Sequence, residues 1–241
     1  MTDTIAATVE AVQDVHPDIR IIRIRPNGAK VSWQAGQYME LVFTGLPARP
    51  YSIANAPHDD VLEFHIRRAG SGGVSDHAVR NLKHGDTLAL RGPFGQAAQT
   101  TQNTRPLLLI AGGVGLPPLK ALIEDSLHRH LKTPMTLYWG VRTAGDLYLG
   151  PYFTALAKAH PHFKFVPVIQ DQAGQTVGDA IEADYQDLSA ARIYLAGSEA
   201  MIQSILPQLH GRGAHPDFIH GDDRALNIPP HAGKKSSGGP S

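Results

Sequence analysis

The sequence predicts two domains, a small antiparallel β barrel or sandwich followed by an α/β domain on a parallel sheet, and three observations carry that prediction. Between Ile5 and Arg91 apolar residues alternate with polar ones in short bursts, the period of half-buried antiparallel strands. After Thr104 unbroken aliphatic runs alternate with segments of helical spacing, as parallel strands covered by helices require. Between the two regimes lies the polar stretch "AAQTTQNTR" (97–105), which reads as a linker. The division is therefore 1–100, 101–224 and a tail, 225–241, whose "PPHAGKKSSGGPS" is rich in Pro, Gly and Ser and is expected to be disordered.

In order along the first half, "IRIIRIRP" sets Ile22 and Ile24 opposite Arg23 and Arg25, and "QYMELVF", "VLEFHIRR" and "DTLALRG" repeat the alternation. "PNG" and "HGD" supply turns between bursts, since Gly and Asn tolerate the backbone that a reversal needs. In the second half the strands are 107–111, 136–141, 165–169 and 192–196. Leu119, Leu122, Ile123, Leu127 and Leu131 mark one helix face, and "PYFTALAKAH" and "EAMIQSIL" give two further helices.

Composition removes several chemistries. The 22 Lys and Arg balance the 22 Asp and Glu, so no overall field draws the chain to nucleic acid or anionic membrane. No cysteine is present, which excludes disulfides, thiolate-held zinc, Cys-ligated iron-sulfur clusters and a thiol nucleophile within this chain. "MTDTIAATVEAVQDV" lacks the basic flank and apolar run of a signal peptide, and no stretch is long enough for a membrane span, so a cytoplasmic location is expected. Thirteen histidines invite a metal reading, but "HRH" (128–130) sends its rings to diverging helix faces and "HPH" (160–162) sits at a helix end, so no metal site is assigned. No GxSxG elbow accompanies the Ser, His and Asp residues.

The chemistry concentrates in "PLLLIAGGVGLPPLKALI" (106–123). Ligands of parallel sheets gather beyond the carboxyl ends of the strands, and Gly112, Gly113 and Gly115, with Val114 between them, follow such an end. Glycines let the backbone approach a pyrophosphate, and the following helix aims free N–H groups at it. Pro117 and Pro118 suit a first helical turn, where no donor is needed. The spacing is GGxG rather than GxGxxG, and a tight structural turn stands beside the nucleotide reading. Gly140 and Arg142 close a second strand and Gly197 a third, so the three ends should converge on one rim of the sheet. Arg142 could meet a 2'-phosphate, whereas Asp146 would oppose one, which tilts the coenzyme reading toward NADH.

The first half offers "RPYS" (49–52), a cation, an aromatic face and a hydroxyl within four residues. Strand alternation sets Arg49 and Tyr51 on one side and Ser52 on the other. "SGGVSDHAV" then places Gly72, Gly73, Val74 and Ser75 ahead of a short helix through Leu82, with Ser75 as a helix cap or phosphate donor. An ordinary strand and an ordinary cap explain each equally well.

Taken together and in this order, "AGQY", "RPYS", "GGVS", "KHGDTLALRGPFG", "AGGVGLPP", "YWGVR" and "YLAGSEAM" resemble the ferredoxin-NADP reductase superfamily, in particular its NAD(P)H:flavin reductases and the reductase components of bacterial oxygenases. The resemblance covers roughly residues 5–222. It implies an N-terminal six-stranded antiparallel flavin-binding barrel and a C-terminal nicotinamide-binding α/β domain. Arg49, beside Pro50, would neutralise flavin phosphate, Tyr51 would stack on the isoalloxazine, and Ser52 would hydrogen-bond flavin N5. Backbone at His65, Ile66 and Arg67, with Gly72 to Ser75, would hold the rest of an FAD, FMN being the alternative. Gly112 to Gly115 would carry the pyrophosphate of NADH or NADPH, with Gly140, Arg142, Gly197, Ser198 and Met201 lining that site. Hydride would pass from nicotinamide C4 to flavin N5, with Ser52 and Tyr51 as the catalytic residues. Relatives with a Cys before the last helix differ here, where Ala196 stands, and that points toward flavin reductases, while "GGVS" favours a retained FAD.

Three functions remain open at this point. The chain could reduce free flavin or another small acceptor, it could deliver electrons to a separate ferredoxin or oxygenase, or it could be a non-catalytic nucleotide or redox sensor. His65 in its strand is as readily a packed histidine as a flavin contact, and Met201 fits helix-face packing better than a cofactor contact.

Overall fold

A computed structural model describes residues 4–28, 30–95, 105–221 and Leu226. The linker and tail read from the sequence lie mostly outside these residues. Six strands form the first sheet: β1 (Ile5–His16), β2 (Ile19–Pro26), β3 (Tyr38–Val42), β4 (Arg49–Ser52), β5 (Leu62–Arg67) and β6 (Thr87–Phe94). Their spatial order is β4-β3-β6-β1-β2-β5, with every pairing antiparallel. The two edge strands meet as the sheet curls, Ala54 N donating to Glu63 O at 2.8 Å. Ile22, Ile24, Phe64, Ile66, Met39 and Leu41 turn inward and are fully buried, so the alternation read from "IRIIRIRP" is the barrel core. Helix α1 (Val74–Arg80) packs on β5 and stops two residues short of the expected Leu82.

The second sheet comprises β7 (Leu107–Gly112), β8 (Met135–Val141), β9 (Phe163–Ile169), β10 (Arg192–Ala196) and β11 (Ile219–His220). It is parallel, ordered β11-β10-β7-β8-β9. Helices α2 (Pro117–His128), α3 (Gly150–Ala159), α4 (Gln170–Ala173), α5 (Val177–Asp184) and α6 (Glu199–Gly211) accompany it. Apolar clusters fill both faces, one around Leu109, Leu122 and Trp139, the other around Ile110, Ile193 and Ile202. Helix α2 ends before Leu131: His130 adopts a left-handed φ of 54°, and Leu131 N returns to Ser126 O at 3.0 Å, a capping turn that takes His130 out of the helix. Among the described residues no helix is long and apolar enough to cross a membrane.

The domains meet along the outward face of β5. Leu62, Phe64 and Ile66 enter the barrel core, while Glu63, His65 and Arg67 point the other way, and each finds a partner on the α/β domain. Lys120 Nζ of α2 lies 2.9 Å from Glu63 Oε1, Tyr148 OH 3.0 Å from His65 Nδ1, and Asp146 Oδ1 2.9 Å from Arg67 Nη2. Lys120 spends its other two donors on Glu124 (2.8 Å) and the carbonyl of Ala54 (3.3 Å). Burial would raise the Glu63 carboxyl, but the bond to His65 and the Lys120 charge outweigh it and hold it at about 2. Burial opposes the Lys120 charge too, yet Glu63 and Glu124 keep its pKa raised. His65 is fully enclosed, and burial lowers its pKa. A neutral His65 between a carboxylate and a phenol has one arrangement: Nε2–H donates to Glu63 (3.0 Å) and Tyr148 O–H donates to Nδ1.

Both shifts make the fold acid-sensitive. His65 binds its proton more readily in the unfolded chain, so the stability tied to its neutrality is complete above about pH 6.5 and is lost as pH falls below that. Glu63 withdraws its share between about 4.5 and 2. Urea unfolding should give a free energy that declines from about pH 7 to 5, each such group contributing at most ~1.4 kcal/mol per pH unit. The decline should be shallower in His65→Gln; an identical slope would remove His65 as its source.

Candidate functional site

Strand β4 lies at the barrel edge with its register fixed by β3: Met39 opposes Tyr51 and Tyr38 opposes Ser52. Arg49 and Pro50 are exposed, while Tyr51 and Ser52 are half-buried. The Tyr51 ring packs against the barrel core. Burial pushes its phenol up to about 12, with Arg49 pulling down and Asp76 pushing up. Tyr51 is thus within electrostatic reach of both the strand cation and Asp76 of α1, which places the two first-half motifs on the same side of the barrel domain. The Ser52 hydroxyl meets no hydrogen-bonding partner among the described residues.

The loop before α1 is shaped from within. Gly72 takes a φ of 78°, and nothing lies within 4 Å of a Cβ built on Gly72 or Gly73, so this backbone is open to a ligand. Asp76 Oδ2 accepts Ser71 N (3.1 Å) and Gly72 N (3.2 Å), which leaves the amides from Gly73 to Ser75 as the free donors of the helix start. Ser75 is not the helix cap: Gly73 holds that position without a side-chain bond, and Ser75 Oγ accepts Ala69 N at 3.3 Å. On β5 the His65 and Arg67 side chains serve the domain interface and Ile66 the core. What that edge strand offers a ligand is backbone.

In the α/β domain the three strand ends do converge. Gly112 of β7 pairs with Gly140 of β8, and Ala111 with Ala196 of β10. Four glycines there are demanded by close packing of the chain itself. A Cβ on Gly112 would stand 2.1 Å from Met201 Sδ, on Gly115 2.3 Å from Ala196 O, on Gly140 2.1 Å from Val177 Cγ2, and on Gly197 2.9 Å from Met201 Sδ. Gly113 differs, with a φ of 53° and open space where a side chain would be. Its carbonyl accepts the Trp139 indole N–H at 2.9 Å, which pins the 113–115 turn to β8. Val114 is half-buried in that turn. Helix α2 follows with Pro117 and Pro118, which carry no N–H, in its first turn, and the amides of Leu119 and Lys120 both donate to Leu116 O at 3.0 Å, so this helix start does not aim the free N–H groups expected of it at a phosphate.

Met201 thus packs between Gly112 and Gly197, as its helix-face spacing suggested, and Ser198 caps α6 by accepting Met201 N at 3.3 Å. Arg142 is 82% exposed with Asp171 at 4.0 Å. Asp146 is engaged at the domain interface: its hydrogen bonds with Thr143 and Arg67 outweigh its burial and lower its pKa, and it bridges the domains. The acidic neighbour of Arg142 is Asp171 instead. Lys120, Trp139 and Tyr148 were missed as site-shaping residues because each acts through contacts distant in sequence, and Asp76 because its local bonds to the Ser71 and Gly72 amides leave no mark in periodicity. Strand β5 lies against the 113–115 turn, so the barrel and the nicotinamide-type turn of the α/β domain meet at the domain interface.

Comparison with known proteins agrees with this geometry. The oxidoreductase FAD-binding domain family matches residues 6–98, and the oxidoreductase NAD-binding domain family matches residues 109–206. The ferredoxin–NAD(P)(+) reductase component of the naphthalene 1,2-dioxygenase system of Pseudomonas putida is 34% identical over 224 residues, 90% of this chain and 68% of that protein. An NAD(P)H-flavin reductase of Aliivibrio fischeri is 33% identical over 178 residues, 69% of this chain and 75% of that one. The crystal structure of an Amycolatopsis cytochrome P450 reductase superposes with a TM-score of 0.84 at 34% identity, covering 91% of this chain and 69% of its own. The chain spans 64% of the length of a terephthalate 1,2-dioxygenase reductase component from Comamonas. Carrying both domain families in this order, on a barrel and a parallel-sheet domain that meet along β5, the chain belongs to the ferredoxin-NADP reductase-like family of NAD(P)H-dependent flavoprotein oxidoreductases.

Proposed function

We propose that this chain reduces a bound FAD with a nicotinamide dinucleotide, NADH in preference, and passes the electrons to free flavin or another small acceptor. The observation that carries the reading is the contact of β5 with the 113–115 turn, which brings the barrel against the glycine-rich turn of the other domain. The residues fit an FAD: Arg49 is an exposed cation, Tyr51 a half-buried ring, Ser52 a hydroxyl without a partner, and the Gly72–Gly73 backbone is open. A bound flavin supplies the hydride acceptor that no side chain of this chain provides.

The protein's own work is holding and orienting. Arg49 and the amides of Gly73 to Ser75 would neutralise phosphate, Tyr51 would back the ring system, and Ser52 would hold a hydrogen bond at N5. The open backbone of the turn at Gly113 would take the nicotinamide dinucleotide pyrophosphate. Asp171 beside Arg142 disfavours an added 2'-phosphate and supports NADH. The dioxygenase reductase relatives support a second reading, in which the acceptor is a separate ferredoxin or oxygenase.

Four measurements test this. Purified protein should show a flavin absorption spectrum that bleaches anaerobically with NADH and more slowly with NADPH. Steady turnover with FMN alone identifies a small acceptor, and turnover only with a protein acceptor identifies the second reading. Ser52→Ala should slow flavin reduction in stopped flow about tenfold or more while leaving NADH affinity nearly unchanged; an unaltered rate removes the N5 role. Gly115→Ala, whose Cβ would meet Ala196 O, should weaken NADH binding about tenfold, ~1.4 kcal/mol, with flavin content intact. Titration by tryptophan fluorescence reads that loss.

A further inference from the structure

A single chain of contacts runs from the nicotinamide-type loop to the flavin-type strand through the buried interface. The Gly113 carbonyl accepts the Trp139 indole at 2.9 Å, and the Trp139 ring meets the edge of Tyr148 with centroids 5.1 Å apart. Tyr148 bonds His65, His65 bonds Glu63, and Glu63 bonds Lys120, at 3.0, 3.0 and 2.9 Å. Lys120 closes the circuit at the Ala54 carbonyl, two residues beyond Ser52. The same lysine stands in the first turn of α2, directly after the 113–115 turn. All three of its donors are used, on Glu63, Glu124 and Ala54, so its ammonium has one position rather than several.

We propose that Lys120, Glu63, His65 and Tyr148 are positioning residues for hydride transfer, a buried bracket that fixes the gap between the Ser52 strand and the Gly113 turn. The inference rests on the assignment of flavin and nicotinamide to those two loops. None of the four need touch either cofactor. Their effect comes through distance, because hydride transfer requires donor and acceptor atoms in near contact, and a displacement of about 1 Å can cost on the order of a hundredfold in rate. Surface ion pairs could not do this, since exposed partners hold no single geometry. Here Lys120 is 9% exposed, Glu63 11% and the His65 side chain 0%.

The test compares the parent chain with Lys120→Met, Lys120→Arg and Tyr148→Phe. Because the chain has no cysteine, exposed Thr44→Cys on the barrel and Lys158→Cys on α3 can carry spin labels without background. The distance distribution between labels, measured by double electron–electron resonance without added cofactor, should be narrow in the parent and broader in Lys120→Met. In the same variant the NADH dissociation constant and flavin content should stay within about twofold of the parent, while the flavin reduction rate falls about tenfold or more. Lys120→Arg, which keeps charge and donors, should retain more of the rate. A Lys120→Met protein with the parental distribution and parental rate overturns the proposal. Should that variant fail to fold, Tyr148→Phe carries the test, since it removes one hydroxyl and keeps the ring against Trp139. A parent chain that neither nicotinamide reduces would overturn the functional reading instead. The label distances, which need no cofactor, then still decide whether the bracket exists.

Discussion

The alternation of strand β5 is the constraint on which both halves of the molecule depend. One set of its side chains, Leu62, Phe64 and Ile66, completes the barrel core, and the other, Glu63, His65 and Arg67, meets Lys120, Tyr148 and Asp146. Because the side-chain period of a strand is two, neither set can move without the other. The hydrophobic register of the barrel therefore also sets where the α/β domain docks. Removing one partner of a buried ion pair costs about 3–5 kcal/mol, since it strands the other charge away from water, so the docking position is narrowly defined.

The glycines of the two loop motifs and the strand ends divide into two physical groups. Gly112, Gly115, Gly140 and Gly197 are there because Met201, the Ala196 carbonyl and Val177 occupy the space a side chain would need. Gly72 and Gly113 have left-handed backbone with open space beside them, the condition under which backbone can approach a ligand closely. A GGVG motif is thus a composite: its first and last glycines let strands and helix pack, and the middle one leaves the turn accessible.

Much of this was legible in the sequence. Period-two bursts located four of the six barrel strands, the aliphatic runs located four of the parallel strands within two residues, and the glycines at three strand ends did gather on one rim. Strand β11 carried too little pattern to be seen, with two residues held only by pairing to β10. Helix α5 announced itself by Thr176 and Asp179, which cap each other reciprocally, a signal overlooked because its apolar face is short. His65, Lys120 and Asp146 were illegible for a different reason: each is a polar residue buried by a partner tens of residues away, and periodicity reports only which side of a strand or helix a residue takes.

The interface has a bearing on how such two-domain chains diversify. Glu63 with Lys120, and Arg67 with Asp146, are complementary charges divided between the barrel and the α/β domain. A barrel transplanted from a relative with a neutral residue opposite Lys120 would bury an ammonium with half its neutralising company gone. Recombination at the linker therefore trades one matched pair of modules for a mismatched one unless both members of each charge pair travel together. In this chain the domain boundary is a seam in sequence but not in heredity.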